Sequence, residues 1–185
     1  MQSLRAADRA ATPWKNGGGI TREVAAWPPG SGFEDFHWRV SMAEVRADAP
    51  FSVFAGVDRI LAVLEGRLAI SVQGVGDFDL APGSAAAVFP GDAPTTGRVV
   101  GGPALDLNIM TRRGKATARL SRLAVAGPQP LPAAPGRRLL IAGDGAIRAS
   151  DHRLKRYDAL LLEATDPALV LDAERPTTAY LVSFA

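Results

Sequence analysis

Cysteine is absent from this 185-residue sequence, and histidine occurs only at His37 and His152. Without cysteine there is no disulfide framework, no thiolate nucleophile and no Cys-based zinc or iron–sulfur site. The two histidines lie in different halves of the chain, whereas a metal centre usually needs several His or carboxylate ligands at one point. We therefore expect a protein that holds no metal and no cofactor.

Lysine is also scarce, occurring only at Lys15, Lys115 and Lys155. Subtracting these three from the 21 basic residues leaves 18 arginines, and the formal net charge is only +2. So small an excess provides no basic field for nucleic acid. Because arginine favours planar, two-point pairing with carboxylates, the composition hints at an anionic small molecule as the partner.

No apolar run is long enough to cross a membrane. Four charged residues between Arg5 and Lys15 interrupt the start of the chain, which contains no apolar core of a secretory signal. We therefore expect no membrane partner and a cytoplasmic location.

Sustained helical periodicity is missing, and the nearest candidate, Asp151–Asp158, predicts at most a helical turn or a loop. Short alternating segments bounded by Gly, Pro, Asp or Asn predict many strands instead. In Phe36–Met42, for example, Phe36, Trp38, Val40 and Met42 share one face. The other predicted strands before residue 126 are Ile20–Trp27, Phe51–Phe54, Arg59–Leu64, Arg67–Gln73, Ala85–Phe89, Leu105–Arg112 and Leu120–Val125. This pattern is typical of an all-β closed barrel or double-sheet sandwich.

Turn residues divide these strands. Glu65-Gly66, Gly74–Gly76 and Asp144-Gly145 predict tight hairpins, because glycine accepts the positive φ of a primed turn. Four prolines within Gly127–Gly136 predict a semi-rigid connection. We accordingly expect an N-terminal barrel over residues 1–126, a connection over 127–136 and a smaller half over 137–185.

Three groups of motifs carry a more specific pattern. They are Pro13–Gly19 with Thr21–Glu23; Pro50–Ser52 with Gly56–Arg59 and Leu64–Gly66; and Phe89–Asp92 with Asp106–Arg112. In this order and spacing, from about Pro13 to Arg113, the sequence resembles the HutD/Ves family of cupin-fold proteins. The resemblance implies a double-stranded β-helix of the RmlC-like cupin jelly-roll type, arranged as a bicupin, and a link to histidine utilisation in bacteria. It implies no catalytic residue.

The resemblance also locates the positions at which many cupins hold a metal. Counting back from Gly66, the usual glutamate position falls at Arg59, and the histidine positions fall near Val53 and Ala55. The usual ligands are absent, which implies a metal-free pocket.

Arg59 is the first candidate for binding a ligand. If its side chain faces the barrel interior, the guanidinium needs a partner, and a ligand carboxylate would satisfy its planar fork. The alternative is an internal ion pair with Asp58, Glu23 or Asp106.

The glycine-rich run after Trp14 is the second candidate, because glycines let the backbone approach an anion. It lacks the Gly-Lys-Ser/Thr order of a phosphate-binding loop, and the alternative is a plain turn with Trp14 capping the barrel. Alternation also puts Asp106, Asn108 and Met110 on one face of a strand, without deciding which face is interior. The candidate ligand-binding residues are Arg59, Lys15, Asn16, Arg22, Asn108 and Asp58.

Three functions fit this pattern. The first is a non-enzymatic cytoplasmic protein that binds a carboxylate intermediate, such as urocanate or a formylated or formiminated glutamate, and modulates histidine utilisation. The second is a hydrolase or isomerase of the same pathway that uses Asp or Glu acid–base chemistry. The third is an interaction protein with a packed barrel. Family analogy also suggests a homodimer.

Overall fold

The computed structural model describes residues 1–14 and 16–185. The described chain is all-β apart from a 3-10 turn at Ala6–Asp8, which follows the first strand, β1 (Gln2–Leu4). Its contacts divide it into a larger unit, Ala10–Thr117, and a smaller unit, which combines Met1–Arg9 with Ala118–Ala185. No described helix has the length and apolar character needed to cross a membrane.

The larger unit consists of two antiparallel sheets. Its strands are β2 (Ala11–Pro13), β3 (Gly19–Trp27), β4 (Trp38–Val45), β5 (Ala49–Pro50), β6 (Val57–Glu65), β7 (Leu68–Val72), β8 (Gly76–Leu80), β9 (Ala87–Pro90), β10 (Thr95–Val99) and β11 (Ala104–Arg112). One sheet has the order β2-β3-β4-β11-β6-β9 and the other the order β5-β10-β7-β8. Leu61 and Val63 of β6 and Leu68, Ile70 and Val72 of β7 belong to the apolar core of this unit. The period of two along each strand places such residues on one face, as expected for a half-buried sheet.

The smaller unit repeats this two-sheet plan. Its remaining strands are β12 (Ala118–Val125), β13 (Gln129–Leu131), β14 (Arg138–Ala142), β15 (Ile147–Ala149), β16 (His152–Leu154), β17 (Ala159–Leu162), β18 (Leu169–Asp172) and β19 (Thr177–Phe184). The sheets have the orders β1-β17-β14-β19-β12 and β13-β18-β15-β16. Leu140, Leu160 and Leu171 are fully or almost fully buried in its core.

The contacts place the boundaries between the two units at Arg9/Ala10 and Thr117/Ala118, and not at the proline-rich segment. β12 pairs along its whole length with β19, which draws Ala118–Val125 into the smaller unit. The proline-rich segment contributes β13, whose Pro130 lies opposite Val170 of β18. Proline is tolerated there because β13 is an edge strand.

Several local predictions are corrected by the sheet topology. Glu65-Gly66 does not close a hairpin, because β6 and β7 belong to different sheets. A side chain at Gly66, whose φ is +72°, would place its Cβ 2.4 Å from the carbonyl oxygen of Pro103. Asp144-Gly145 likewise joins strands of different sheets, whereas the Gly74–Gly76 turn does close the β7–β8 hairpin. Asp151–Asp158 contains strand β16 rather than a helical turn.

The segment Phe51–Phe54 forms a loop instead of the predicted strand. Its backbone is held by single hydrogen bonds, from Phe51 N–H to the carbonyl of Thr95 and from Phe54 N–H to that of Gly91, each 2.8 Å long. The loop thereby stays close to the sheet without joining a ladder.

Candidate functional site

A cavity of about 540 Å³ lies within the larger unit. The inner face of the six-stranded sheet supplies its polar wall, with alternate residues from β3, β4, β6 and β11. The loop Phe51–Phe54 and the segment around Trp14 add aromatic rings. A volume of this order suits a small organic molecule.

Arg59 projects into this cavity from β6 and is only 5% exposed. Its guanidinium carbon lies 5.2 Å from the ring centres of both Phe51 and Phe89, and 6.0 Å from that of Phe54. The Nε atom donates a hydrogen bond of 3.3 Å to Oδ1 of Asn108 on β11. Burial lowers the pKa of Arg59 to about 10, so the group is still a cation at neutral pH.

None of the three internal counter-ions considered for Arg59 pairs with it. Glu23 pairs with Arg39 at 2.9 Å. Asp58 instead accepts a hydrogen bond of 2.7 Å from Arg113. The charge of Asp106 acts on Arg59 through space. Arg59 forms no ion pair with any residue in 1–14 and 16–185.

Asp106 is the second buried charged group of the cavity wall. It is 2% exposed, and its Oδ1 atom has no hydrogen-bond partner among the described residues. Burial raises the pKa of Asp106 to about 7, against the opposing effects of the Arg59 charge and the backbone of Ala43. The group is therefore divided between its acid and its carboxylate at neutral pH.

A second set of polar and aromatic groups lines the cavity farther along the sheet. The ring of Phe33, a residue that is 51% exposed, stacks on Phe54 with ring centres 5.5 Å apart. The guanidinium of Arg39 lies 4.3 Å from the centre of the Phe33 ring and pairs with Glu23. This ion pair is internally neutralised, in contrast to Arg59.

Two further residues of the predicted set, Asn108 and Asn16, line the cavity with Arg59. Asn16 Oδ1 accepts a 3.0 Å hydrogen bond from the N–H of Gly18, and the N–H of Gly17 donates to the carbonyl of Trp14. Both glycine N–H groups are thus used within a turn, as the alternative interpretation of this run expects. The prediction for Lys15 lies outside the described residues.

Two residues of the predicted set, Arg22 and Asp58, do not line the cavity. Their neighbours in sequence Thr21, Glu23 and Arg59 do, so the alternation of β3 and β6 directs Arg22 and Asp58 to the opposite face. Asp58 is instead the exposed partner of Arg113. Ligand contacts of Arg22 and Asp58 stay a prediction, and such contacts would lie outside this cavity.

Sequence alternation left open whether Arg39 faces the cavity, and it did not mark Phe51 or Phe54 as site residues. Alternation put Asp106 on one strand face with Asn108 and Met110 without deciding which face is interior, and in the structure this face lines the cavity. That shared parity was the available signal for Asp106. Nothing in the local pattern marked the Phe51–Phe54 loop, because its place over the sheet depends on residues distant in sequence.

The donor set does not fit a metal cation. The guanidinium of Arg59 brings a positive charge to the cavity wall, and the carboxylate of Glu23 is paired with Arg39. Within the described ranges, no group of three or more His, Cys, Asp or Glu side chains is placed to hold an ion. His37 lies in the larger unit and His152 in the smaller one.

Sequence comparison places the chain in a family. The HutD family model matches residues 6–181. This chain belongs to the HutD family. It is 34% identical over 180 residues to an uncharacterised 21.2 kDa protein from the hutC 3′ region of Pseudomonas putida, covering 94% of this chain and 93% of that protein. It is also 38% identical over 109 residues to the protein Ves of Citrobacter koseri, covering 58% of this chain and 56% of Ves.

Solved structures agree with this HutD assignment. The conserved protein PA5104 of Pseudomonas aeruginosa PAO1 superimposes with a TM-score of 0.88 at 32% identity, covering 99% of this chain and 97% of that one. HutD of Pseudomonas fluorescens SBW25, determined in a formate condition, gives a TM-score of 0.86 at 27% identity, covering 100% and 97%. Bacterial pirin YhhW of Escherichia coli superimposes with a TM-score of 0.70 at 13% identity, covering 98% of this chain and 97% of pirin. This similarity supports a cupin-like jelly-roll fold.

Proposed function

We propose that this HutD-family protein binds a small organic carboxylate in the cavity of its larger unit. The observation that carries the proposal is Arg59, a buried cation in a cavity without an ion-pair partner among the described residues. Leaving a buried charge unpaired is costly, whereas a bound carboxylate would engage the guanidinium by charge-assisted hydrogen bonds. The three surrounding phenylalanines make the environment of the guanidinium more apolar, which strengthens such a contact.

Family membership suggests the metabolic setting. A relative is named for the hutC 3′ region, and a structural neighbour is HutD itself. We infer a cytoplasmic role in modulating histidine utilisation, with urocanate or a formylated or formiminated glutamate as the ligand. Each of these molecules presents a carboxylate to Arg59 and is small enough for a cavity of about 540 Å³.

Calorimetric titration of the protein with these three acids tests the proposal. Arg59→Met replaces the buried cation by an apolar side chain, a change that folded proteins often tolerate. We expect it to weaken binding by about 30-fold or more, because a charge-assisted pair is lost. Arg98→Met, at an exposed arginine of the same unit, is the matched control.

Asp58→Asn is a second control, because Asp58 faces away from the cavity. We expect Arg98→Met and Asp58→Asn to retain wild-type affinity. Equal affinity of Arg59→Met and wild type would show that Arg59 is not the anchor. Failure of all three acids to bind at millimolar concentration would remove the ligand proposal.

Asp106 favours a second candidate function, an acid–base hydrolase or isomerase. A buried carboxyl with a pKa of about 7 beside a cation has the properties of a general acid or base. Formation of product from one of the three acids, and its loss in Asp106→Asn, would favour this candidate. Binding without turnover would favour the non-enzymatic binder.

We also propose that the chain is a bicupin and that it forms a homodimer. The repeated plan of two antiparallel sheets in each unit supports the first proposal. The second follows from the family analogy alone. Light scattering coupled to size-exclusion chromatography distinguishes a monomer of 19.4 kDa from a dimer.

A further inference from the structure

The ionisable side chains that face the cavity form two pairs of different kinds. In the described part of the chain they are Glu23 of β3, Arg39 of β4, Arg59 of β6 and Asp106 of β11. Glu23 and Arg39 are in direct contact and compensate each other. Arg59 and Asp106 interact only through space. Among the described residues, the guanidinium of Arg59 donates its hydrogen bond through Nε alone, and the buried Oδ1 atom of Asp106 has no partner.

The position of Arg59 explains why a ligand would meet both groups. Arg59 lies opposite Met110 in the β6–β11 ladder, yet its Nε atom reaches Asn108, two residues nearer to Asp106. The side chain therefore extends along the sheet towards Asp106. Asp106 also lines the cavity, so a molecule held by the free end of the guanidinium would lie beside Asp106, whose buried Oδ1 atom has no partner among the described residues.

Charge balance decides the form in which Asp106 meets a carboxylate. If Asp106 stayed ionised, Arg59, Asp106 and the ligand would carry a net charge of −1 around two side chains that are almost fully buried. If Asp106 takes up a proton, the same three groups are neutral. Its carboxyl then has an O–H donor, which an ionised carboxylate lacks.

We infer that binding of a carboxylate at Arg59 is accompanied by uptake of one proton from solvent onto Asp106, whose Oδ1–H then donates a hydrogen bond to the ligand. This inference rests on the proposed function and names the class of ligand more closely. The group beside Asp106 is a hydrogen-bond acceptor, such as a carboxylate or amide oxygen, and not an ammonium or amidinium group. Asp106 is thus a specificity-determining residue of the site.

The inference predicts the dependence of affinity on pH. The raised pKa of Asp106, about 7, means that the free protein must gain a proton to bind at higher pH. Affinity should therefore fall as pH rises, by about 30-fold between pH 6 and pH 8.5. The fall levels off only above the higher pKa that Asp106 acquires in the complex.

Calorimetry between pH 6 and pH 8.5, with N-formylglutamate and with formate as probes, tests this. Neither probe has a group that titrates in that range, so a change reports on the protein. Titration in two buffers of different ionisation enthalpy measures proton uptake directly, and we expect close to one proton per ligand at pH 8. In Asp106→Asn the amide donates permanently, so proton uptake and most of the pH dependence should disappear.

Asp77→Asn, at an exposed aspartate of the same unit, should keep the wild-type pH dependence. Affinity that is constant or rises with pH, or proton uptake that persists in Asp106→Asn, would overturn the inference while leaving the carboxylate site intact. Lack of binding of both probes at every pH would overturn the carboxylate site as well. If Asp106→Asn does not fold, the proton uptake of the wild type tests the inference by itself, and an uptake near zero at pH 8 would overturn it.

Discussion

The burial of Asp106 should make the stability of the protein depend on pH in an unusual direction. Its pKa rises from 3.8 to about 7 on folding, because burial disfavours the carboxylate. Between these values the unfolded chain binds fewer protons at this group than the folded protein does. The contribution of Asp106 to the free energy of unfolding therefore decreases as pH rises from about 4 to about 7, and is constant above.

Asp106→Asn removes this titration and keeps the shape of the side chain. At 1.36 kcal/mol per pKa unit, the penalty that the variant avoids is about 1 kcal/mol at pH 4.5 and about 4 kcal/mol at pH 8. Any constant effect of the amide shifts both values equally. The informative quantity is therefore the change in the stability difference between variant and wild type, which should increase by about 3 kcal/mol from pH 4.5 to pH 8.

Urea unfolding of wild type and Asp106→Asn at pH 4.5, 6 and 8 measures this difference. Asp77→Asn, which alters an exposed carboxylate of the same unit, should show a difference that hardly changes with pH. A difference between Asp106→Asn and wild type that is flat, or that shrinks as pH rises, would refute the assignment of a destabilising buried carboxylate.

Two further predictions concern stability alone. Asp158, 3% exposed, accepts hydrogen bonds from the side chain of Arg5 and the N–H groups of Ala6 and Lys155, so Asp158→Ala should cost about 3 kcal/mol in urea unfolding at pH 7. Burial opposes ionisation of Asp158, but these contacts outweigh it and lower its pKa, so the stabilisation should be lost as pH falls below about 4. An equal loss of stability below pH 4 in Asp158→Ala and in wild type would contradict this. Gly66→Ala should lower stability by about 2 kcal/mol or more, because alanine at a φ of +72° is strained and its Cβ would meet the Pro103 carbonyl. A variant as stable as wild type would show that the β6–β7 link can relax.

Strand alternation was sufficient to predict much of the larger unit. The predicted strands Arg59–Leu64 and Leu105–Arg112 correspond to β6 and β11 with small changes of boundary. The shared parity of Asp106, Asn108 and Met110 was also correct, since all three line the cavity. A period of two is a local property, which is why a single sequence reveals it.

The pairing of strands was harder to predict from the sequence. Glu65-Gly66 has the composition of a hairpin turn, yet the chain passes there from one sheet to the other. Two apolar runs flanking a glycine look alike in both cases, because the difference lies in which distant strand each one pairs with. β6 pairs with β9 and β11, and β7 pairs with β8 and β10.

For the site, the sequence alone determined that the chain has only two histidines and no cysteine for binding a metal. The family resemblance predicted that Arg59 stands where many cupins hold a metal ligand. Only the tertiary structure decided that Arg59 is buried in the cavity wall and that Glu23 and Asp58 pair with other arginines. It also showed that Asp106 is buried with one oxygen atom that has no hydrogen-bond partner among the described residues. The reason is that burial and ion pairing depend on side chains brought together from different strands, whereas composition and alternation are properties of the chain itself.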